Sequence, residues 1–290
     1  MAGIKELRVR IKSVGSIKQI TKAMEMVATT KLRRFQDRAI SSRPYAQEIA
    51  GLVGRLAGVL GDDVADNPLF IEGSGDKTLV LAVSSDRGLC GAYNSNLFKT
   101  VIKWSKDLGN DISWFLYGRK ITSFLGKRDA NIERVLSDPT LEEIDYRTAA
   151  ITARMLTTEF LSGKYKDVYI IYSAFETMAK YVPTVVKLLP IDGSGLASDA
   201  TGAADTDVLL EPDAETIFER IIPRYLETRI YNCLLESLTS EYASRRFAMK
   251  SATDAATDMQ KALQGVYNRK RQEKITMELL DLVGGVEAVK

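Results

Sequence analysis

Proline is confined to the middle of this chain. All seven prolines lie between Pro44 and Pro223, so residues 1–43 and 224–290 lack the one residue that breaks a helix interior. Both ends are rich in Ala, Lys, Arg, Glu, Gln, Met and Leu, which lose least on entering a helix. Glycine is sparse there too, at Gly3 and Gly15 in front and at Gly265, Gly284 and Gly285 behind. At about 1.5 Å per residue, helices over these two stretches would span roughly 65 Å and roughly 100 Å. A compact chain of 290 residues has a radius of gyration of only about 19 Å. Neither helix fits inside one globule, so the sequence predicts a rod attached to a smaller body.

Composition removes several functions. The absence of histidine excludes metal–imidazole sites and the commonest general base. Two cysteines, Cys90 and Cys233, stand far apart and in no metal or redox spacing. No apolar run approaches the 18 or more residues that cross a bilayer, and the opening residues Met1–Leu7 lack the apolar core of a signal peptide. The net charge of +2 hides an asymmetry. Residues 1–44 hold eleven Lys/Arg against three acids, and residues 240–275 hold eight against four. Basic rods on a nearly neutral protein suggest an acidic counterpart, although a solvated lysine-rich face has the same composition.

Periodicity organises the chain. Ile4, Leu7, Ile11, Val14, Ile17, Ile20, Met24 and Val27 recur at steps of three and four, the signature of an amphipathic helix. The heptad slips at Ile17, which predicts irregular pairing. Around Ile20–Ala28 the helix is apolar on more than one side and is expected to be surrounded. Ser41–Pro44 allows a kink, after which 45–60 resumes the helix. Residues 61–77 read as loop. Strands follow over 78–84, 112–117, 131–136, 167–173 and 184–189, and helices over 94–108, 118–125 and 141–161. This alternation predicts an α/β layer with a mainly parallel sheet. Residues 192–207 read as a surface loop. Pro212 suits the first turn of the last helix and Pro223 is expected to break or kink it early. The chain thus divides into an N-terminal helix (1–60), a central Rossmann-like α/β foot (61–210) and a C-terminal helix (211–290). The fold class is α/β with a long antiparallel coiled coil of the two end helices. The second helix is longer by about 20 residues, so its tip should overhang by roughly 30 Å. That tip, 274–290, is apolar enough to require a socket in another protein.

Candidate chemistry is thin. The segment 84–94, SSDRGLCGAYN, joins a strand to a helix, where doubly wound folds bind phosphate. It matches neither glycine-rich phosphate motif and offers no well-placed lysine, so a tight structural turn is the better reading. Cys90 lacks a histidine to activate it and reads as a small buried thiol. Acid pairs such as Glu142/Glu143 and Asp205/Asp207 fall on surface segments without the desolvation that splits carboxylate pKa values. Basic clusters could contact nucleic acid, but they are interleaved with an apolar stripe and no aromatic ladder accompanies them. No catalytic, cofactor or metal site emerges. An α/β enzyme, or a nucleic-acid scaffold, with a coiled-coil arm stands as the alternative.

The motifs themselves carry a resemblance. Ile11–Val14, then Ile20-Thr21-Lys22-Ala23-Met24-Glu25-Met26-Val27-Ala28 and Lys31-Leu32-Arg33, resemble the first helix of the γ subunit of F-type ATP synthases. So does Asp86-Arg87-Gly88-Leu89-Cys90-Gly91 after the first strand. The last helix adds Ser240-Glu241, Arg245, Ala248-Met249-Lys250, Tyr267-Asn268, Arg271-Gln272 and Ile275-Thr276-Met277-Glu278-Leu279 with Val283-Gly284-Gly285. The similarity spans both ends and the middle in order. Ala92 stands where a second glycine is frequent, and Glu287 and Lys290 make the tip more polar than is usual. The dithiol insert of the light-regulated chloroplast form is absent, which points away from redox control.

The resemblance implies a rotor shaft without catalytic residues or cofactor. It would stand inside a ring of alternating α and β subunits, turning with the membrane-embedded c-ring and driving the β sites through their nucleotide states. It implies that Arg271, Gln272 and Thr276 form a polar catch with a β loop, and that Met24, Glu241 and Arg245 lie near the acidic tip of a β subunit. Ile275, Leu279, Leu282 and Val286 would turn in an apolar sleeve. Arg87 and Cys90 would sit in the foot near the ε subunit and the c-ring. Arg8, Arg10, Lys12, Lys18 and Lys22 would match the ring electrostatically. The expected location is the cytoplasmic side of the bacterial inner membrane, peripheral and without a membrane span or nucleic-acid partner.

Overall fold

The computed structural model describes residues 3–61, 64, 67–109, 111–178, 180–192, 211 and 213–287, with side chains as far as 283. Two helices dominate it, α1 (Ile4–Leu60) and α5 (Ala214–Glu287). Between them come β1 (Lys77–Val83), α2 (Tyr93–Leu108), β2 (Ile112–Tyr117), α3 (Arg119–Gly126), β3 (Ile132–Leu136), α4 (Tyr146–Leu161), β4 (Tyr165–Thr177) and β5 (Lys180–Leu189). The residues group into two compact units, Thr30–Ser244, and the two ends Met1–Thr29 with Arg245–Lys290.

The first unit is built on a five-stranded sheet of order β3-β2-β1-β4-β5. The pairs β1–β2, β1–β4 and β2–β3 are parallel, and only β4–β5 is antiparallel. Strand β1 sits at the centre with Leu79–Val83 wholly buried, which is why it reads as a continuous apolar run rather than an alternating one. Helix α2 buries Tyr93, Leu97 and Val101 at four-residue intervals. Leu97 and Val101 join Val80, Ala82, Trp114, Leu116, Ile121, Leu125 and Ile171 in one core cluster. The ladder from β4 to β5 is longer than the apolar runs suggest. Its extension includes Pro183, opposite Ser173, which is tolerated because β5 is an edge strand with a free hydrogen-bonding side.

Three local expectations meet the structure here. Helix α1 passes through Pro44 without interruption. Ser41 Oγ donates to the Asp37 carbonyl at 2.8 Å, and Ser42 Oγ makes bonds to the Ala39 carbonyl at 3.0 Å and Asn232 Oδ1 at 2.8 Å. These hydroxyls bond carbonyls near that of Ile40, the one that loses its donor to Pro44. Pro223 likewise lies within α5, on its exposed side, where the Glu219 carbonyl that loses its donor can meet water. The expected helix 141–161 is instead a 3₁₀ turn, Leu141–Glu143, followed by α4. Asp145 divides them by accepting the Thr148 N–H at 2.7 Å, an N-cap that starts a new helix. The expectations on Pro212 and on nearly all of the loop 192–207 fall outside the described residues.

Within this unit α1 is tied to α5 and to the 3₁₀ turn. Lys31 and Tyr242 both donate to the Glu142 carboxylate, and the Phe35 and Tyr242 rings lie 5.4 Å apart. Burial opposes ionisation of Glu142, but the Lys31 and Tyr242 hydrogen bonds outweigh it and hold the carboxyl below its ordinary range. One turn further on, Arg38 donates to the Ile144 carbonyl at 2.5 Å and to Tyr231 Oη at 3.1 Å.

In the second unit α1 and α5 run antiparallel. Thr253 Oγ1 donates to Thr21 Oγ1 at 2.9 Å, and a Cβ on Gly15 would lie 3.3 Å from Gln260 Nε2. Moving back along α1 therefore moves forward along α5. Continuing that register places Ile4 opposite the residues near Lys270, so α5 outruns its partner by about 25 Å. Every described side chain from Arg271 to Val283 is exposed.

Gly118, between β2 and α3, has φ of 105°, and a Cβ there would stand 2.2 Å from the Ser84 carbonyl oxygen. We expect Gly118→Ala to destabilise the sheet-bearing unit by about 3 kcal/mol, from left-handed strain plus a backbone clash. Urea unfolding of the two proteins side by side checks this; equal midpoints would contradict it.

Candidate functional site

Three surfaces stand out. The first is the free end of α5. Ile275, Met277, Leu279, Leu280, Leu282 and Val283 are 43–67% exposed, all on consecutive turns. At 100° per residue these positions spread over roughly 220° of the circumference, and Lys274, Glu278 and Asp281 occupy the remaining arc. An apolar arc wider than half the helix exceeds a single packing stripe and belongs in an environment that wraps around it. Arg271, Gln272 and Thr276 lie at the base of this segment with exposed side chains, and Thr276 Oγ1 bonds back to the Gln272 carbonyl at 3.0 Å. The sequence-derived tip and catch therefore share one stretch of helix. Val286 is on the helix, but its side chain lies outside the described residues.

The second surface is a groove of about 1150 Å³ along the paired helices of the terminal unit. Lys5, Arg8, Lys12, Lys18 and Lys22 line it with no acid among the lining residues, and Gln260, Gln264 and Tyr267 close the α5 side. Lys22 also pairs with Glu25 at 3.1 Å, while Arg10, outside the groove, pairs with Glu6 at 3.5 Å. Beside the cations stand exposed apolar residues: Val9, Ile17, Ile20, Met26 and Val27 are 50–63% accessible. Met24 is half-buried. Glu241 and Arg245, read from sequence as facing a partner, are only 4% and 7% exposed, because the face of α5 that carries them is packed inside this chain. Sequence spacing alone could not separate that face from the outward one.

The third surface is the turn 84–94 between β1 and α2. Its polar groups are spent on its own geometry. Ser84 Oγ accepts the Ile121 N–H at 2.9 Å, Asp86 accepts the Arg119 N–H at 3.0 Å, and Ser85 Oγ donates to the Arg87 carbonyl at 2.8 Å. Asn94 Nδ2 donates to Ser85 Oγ at 2.7 Å and to Cys90 Sγ at 3.1 Å. Cys90 is buried, as a small core thiol should be, so only its neighbours reach solvent. Arg87 is exposed, and Leu89 is 64% exposed in a left-handed conformation, φ 62°. A leucine held at positive φ with its side chain in water was not foreseen from sequence.

A cavity of about 340 Å³ lies between α1, β4, β5 and α5. Burial pushes the Cys233 thiol in its wall up to about 12, which keeps it protonated and unreactive. No group of three or more candidate metal ligands occurs among the described residues, and none of their helices is long and apolar enough to cross a membrane.

Comparison with known proteins places these features. The ATP synthase family model matches residues 3–289. The ATP synthase gamma chain of Cytophaga hutchinsonii is 38% identical, with all of this chain and 99% of the relative aligned. That of Mycolicibacterium smegmatis is 37% identical over 99% and 98% of the two chains. Among solved structures, a chain of the Tetrahymena thermophila mitochondrial ATP synthase central stalk and c-ring is 26% identical, with a TM-score of 0.59 over 80% of this chain and 99% of that one. A chain of the Euglena gracilis mitochondrial ATP synthase shares the fold with a TM-score of 0.66, at 20% identity over 99% of this chain and 94% of that one. An α/β body with two long terminal helices, an exposed apolar helix end and a family match from end to end lead to one assignment: the chain belongs to the ATP synthase gamma-chain family, and its function is that of the central rotor shaft of an F-type ATP synthase.

Proposed function

We propose that this chain turns inside a ring of alternating α and β subunits and couples rotation of a c-ring to the conformational cycle of the β catalytic sites, while carrying no catalytic group itself. The observation that supports it most is the free end of α5, exposed in this chain and apolar over more than half of its circumference. A flat partner would cover one stripe, whereas an arc this wide needs a socket that curls around the helix. A smooth apolar sleeve also suits rotation, since apolar contact is non-directional and presents no fixed hydrogen bonds to break at each angle. Ile275, Leu279, Leu282 and Val286 occupy that sleeve in our reading.

Coupling needs the opposite kind of contact, one that differs between angles. Arg271, Gln272 and Thr276 supply it at the base of the tip as a polar catch on a β loop. The cation-lined groove and its exposed apolar neighbours face acidic β segments, with Met24 at the edge of that band. Each β site is then biased by whichever face of the shaft meets it, a population shift set by position. Glu241 and Arg245, which the resemblance assigns to the same β tip, are buried in this chain, which leaves little of either side chain to meet a partner. We assign the sheet-bearing unit to contacts with ε and the c-ring, the turn offering Arg87 and Leu89 while the Cys90 thiol braces it from inside. We keep the functional division 1–60, 61–210 and 211–290. We place the complex at the bacterial inner membrane, with this subunit peripheral on the cytoplasmic side.

In the reconstituted complex, Arg271→Ala with Gln272→Ala is expected to lower ATP hydrolysis and synthesis about tenfold, the scale of one or two lost charge-assisted hydrogen bonds. Melting of the isolated chain should stay unchanged, because both side chains are exposed. Wild-type turnover would remove the catch. Met24→Lys adds a cation to the apolar band opposite acidic loops, and fewer protons should be pumped per ATP hydrolysed. An unchanged pumping ratio would contradict that placement.

A further inference from the structure

A shaft must be fastened in angle as well as held in place. Helix α5 packs on the sheet-bearing unit through Leu234, Leu235 and Leu238, all fully buried. Such contacts resist separation but are non-directional, so they oppose twisting or sliding of a helix only weakly. Hydrogen bonds are directional and short-ranged, and they fix an azimuth.

Ser237, Ser240 and Ser244 lie three and four residues apart, on one face of α5, and each is at most 2% exposed. The Ser237 hydroxyl lies 2.7 Å from Tyr93 Oη, at the start of α2. Ser240 Oγ donates to the Ser173 carbonyl of β4 at 2.9 Å. Ser244 Oγ donates to the Cys90 carbonyl in the β1–α2 turn at 2.6 Å, and its oxygen lies 2.9 Å from Tyr181 Oη of β5. Thr239, between them, does what a mid-helix hydroxyl commonly does and bonds back to the Leu235 carbonyl at 2.8 Å. The three serines turn outward instead and reach three segments of the unit: the β1–α2 turn with the start of α2, β4 and β5. Burial, followed by the nearby Glu241 charge, raises the Tyr93 phenol, so it remains a neutral hydroxyl at any working pH.

We propose that this serine ladder is a torsional clutch: Ser237, Ser240 and Ser244 are positioning residues that lock the angle of α5 to the sheet-bearing unit, so that torque applied to one reaches the other. The inference rests on the rotor-shaft assignment. Four bonds to three segments cannot all survive a twist of the helix, whereas the leucine contacts beside them can.

The test exploits the fact that removing both partners of a buried hydrogen bond is far milder than removing one. Two variants are placed in the whole reconstituted complex: Tyr93→Phe with Ser237→Ala, and the same pair combined with Ser240→Ala, Tyr181→Phe and Ser244→Ala. Torsional stiffness is read from angular fluctuations of a probe on the sheet-bearing unit while the ring is immobilised and stalled. We expect the fivefold variant to lose stiffness by about twofold or more, with the pair variant intermediate, in proportion to the bonds removed. Proton pumping against a gradient should fall before unloaded ATP hydrolysis does. Wild-type stiffness and pumping in the fivefold variant would overturn the clutch. So would a loss that tracks only a lowered melting temperature or failed assembly, with the pair variant identical to wild type. If the unmodified chain shows no ATP-driven rotation, the shaft assignment fails instead of the clutch.

Discussion

The structure depends on one continuous helix, α5, which runs from Ala214 to Glu287 and tolerates a single missing N–H at Pro223. The same helix is buried among strands in one unit, paired with α1 in the other, and solvated on all sides at its far end. Each environment selects different side chains from one helical backbone. Buried leucines and outward-turning serines serve the first, alternating small and apolar residues such as Met249, Thr253 and Ala256 the second, and exposed Ile275–Val283 the third. Averaged over its length the helix has no single apolar face, because the face it must bury changes along it.

That change explains what could be read from the chain and what could not. The strands were legible because β1, β2 and β4 are buried on both sides and appear as uninterrupted apolar runs. Ile112–Tyr117 could be placed to the residue. The long helices were legible from missing proline and glycine. Pro44 marks no helix boundary, because one missing N–H removes one rung while α1 continues on both sides of it. Asp145 misled in the other direction, since an aspartate inside a plausible helix became a cap.

The sites divide in the same way. The exposed positions of the tip residues and of Arg271, Gln272 and Thr276 were readable because apolar and cationic residues at a helix end are unusual whatever surrounds them. Glu241 and Arg245 were not, because a charged residue on a long helix gives no sign of the face it occupies, and here that face is buried. Cys90 was correctly read as a buried thiol, yet the outward residue of its turn is Leu89, whose left-handed backbone has no sequence marker beyond the adjoining glycine. The serine ladder had a faint one, three serines at helical spacing in an otherwise apolar stretch. Only the partners Tyr93, Ser173, Cys90 and Tyr181 give it meaning.

The proposed mechanism combines two kinds of contact in one subunit, non-directional apolar surface toward what must slide and directional polar contacts where motion must be transmitted. The most direct measurement of the central claim is single-molecule observation of a probe attached to the sheet-bearing unit while the α and β subunits are fixed to a surface. Stepwise rotation in one sense is expected on adding ATP, with torque that falls when residues 271–290 are removed. ATP turnover at the normal rate with a stationary probe would contradict it.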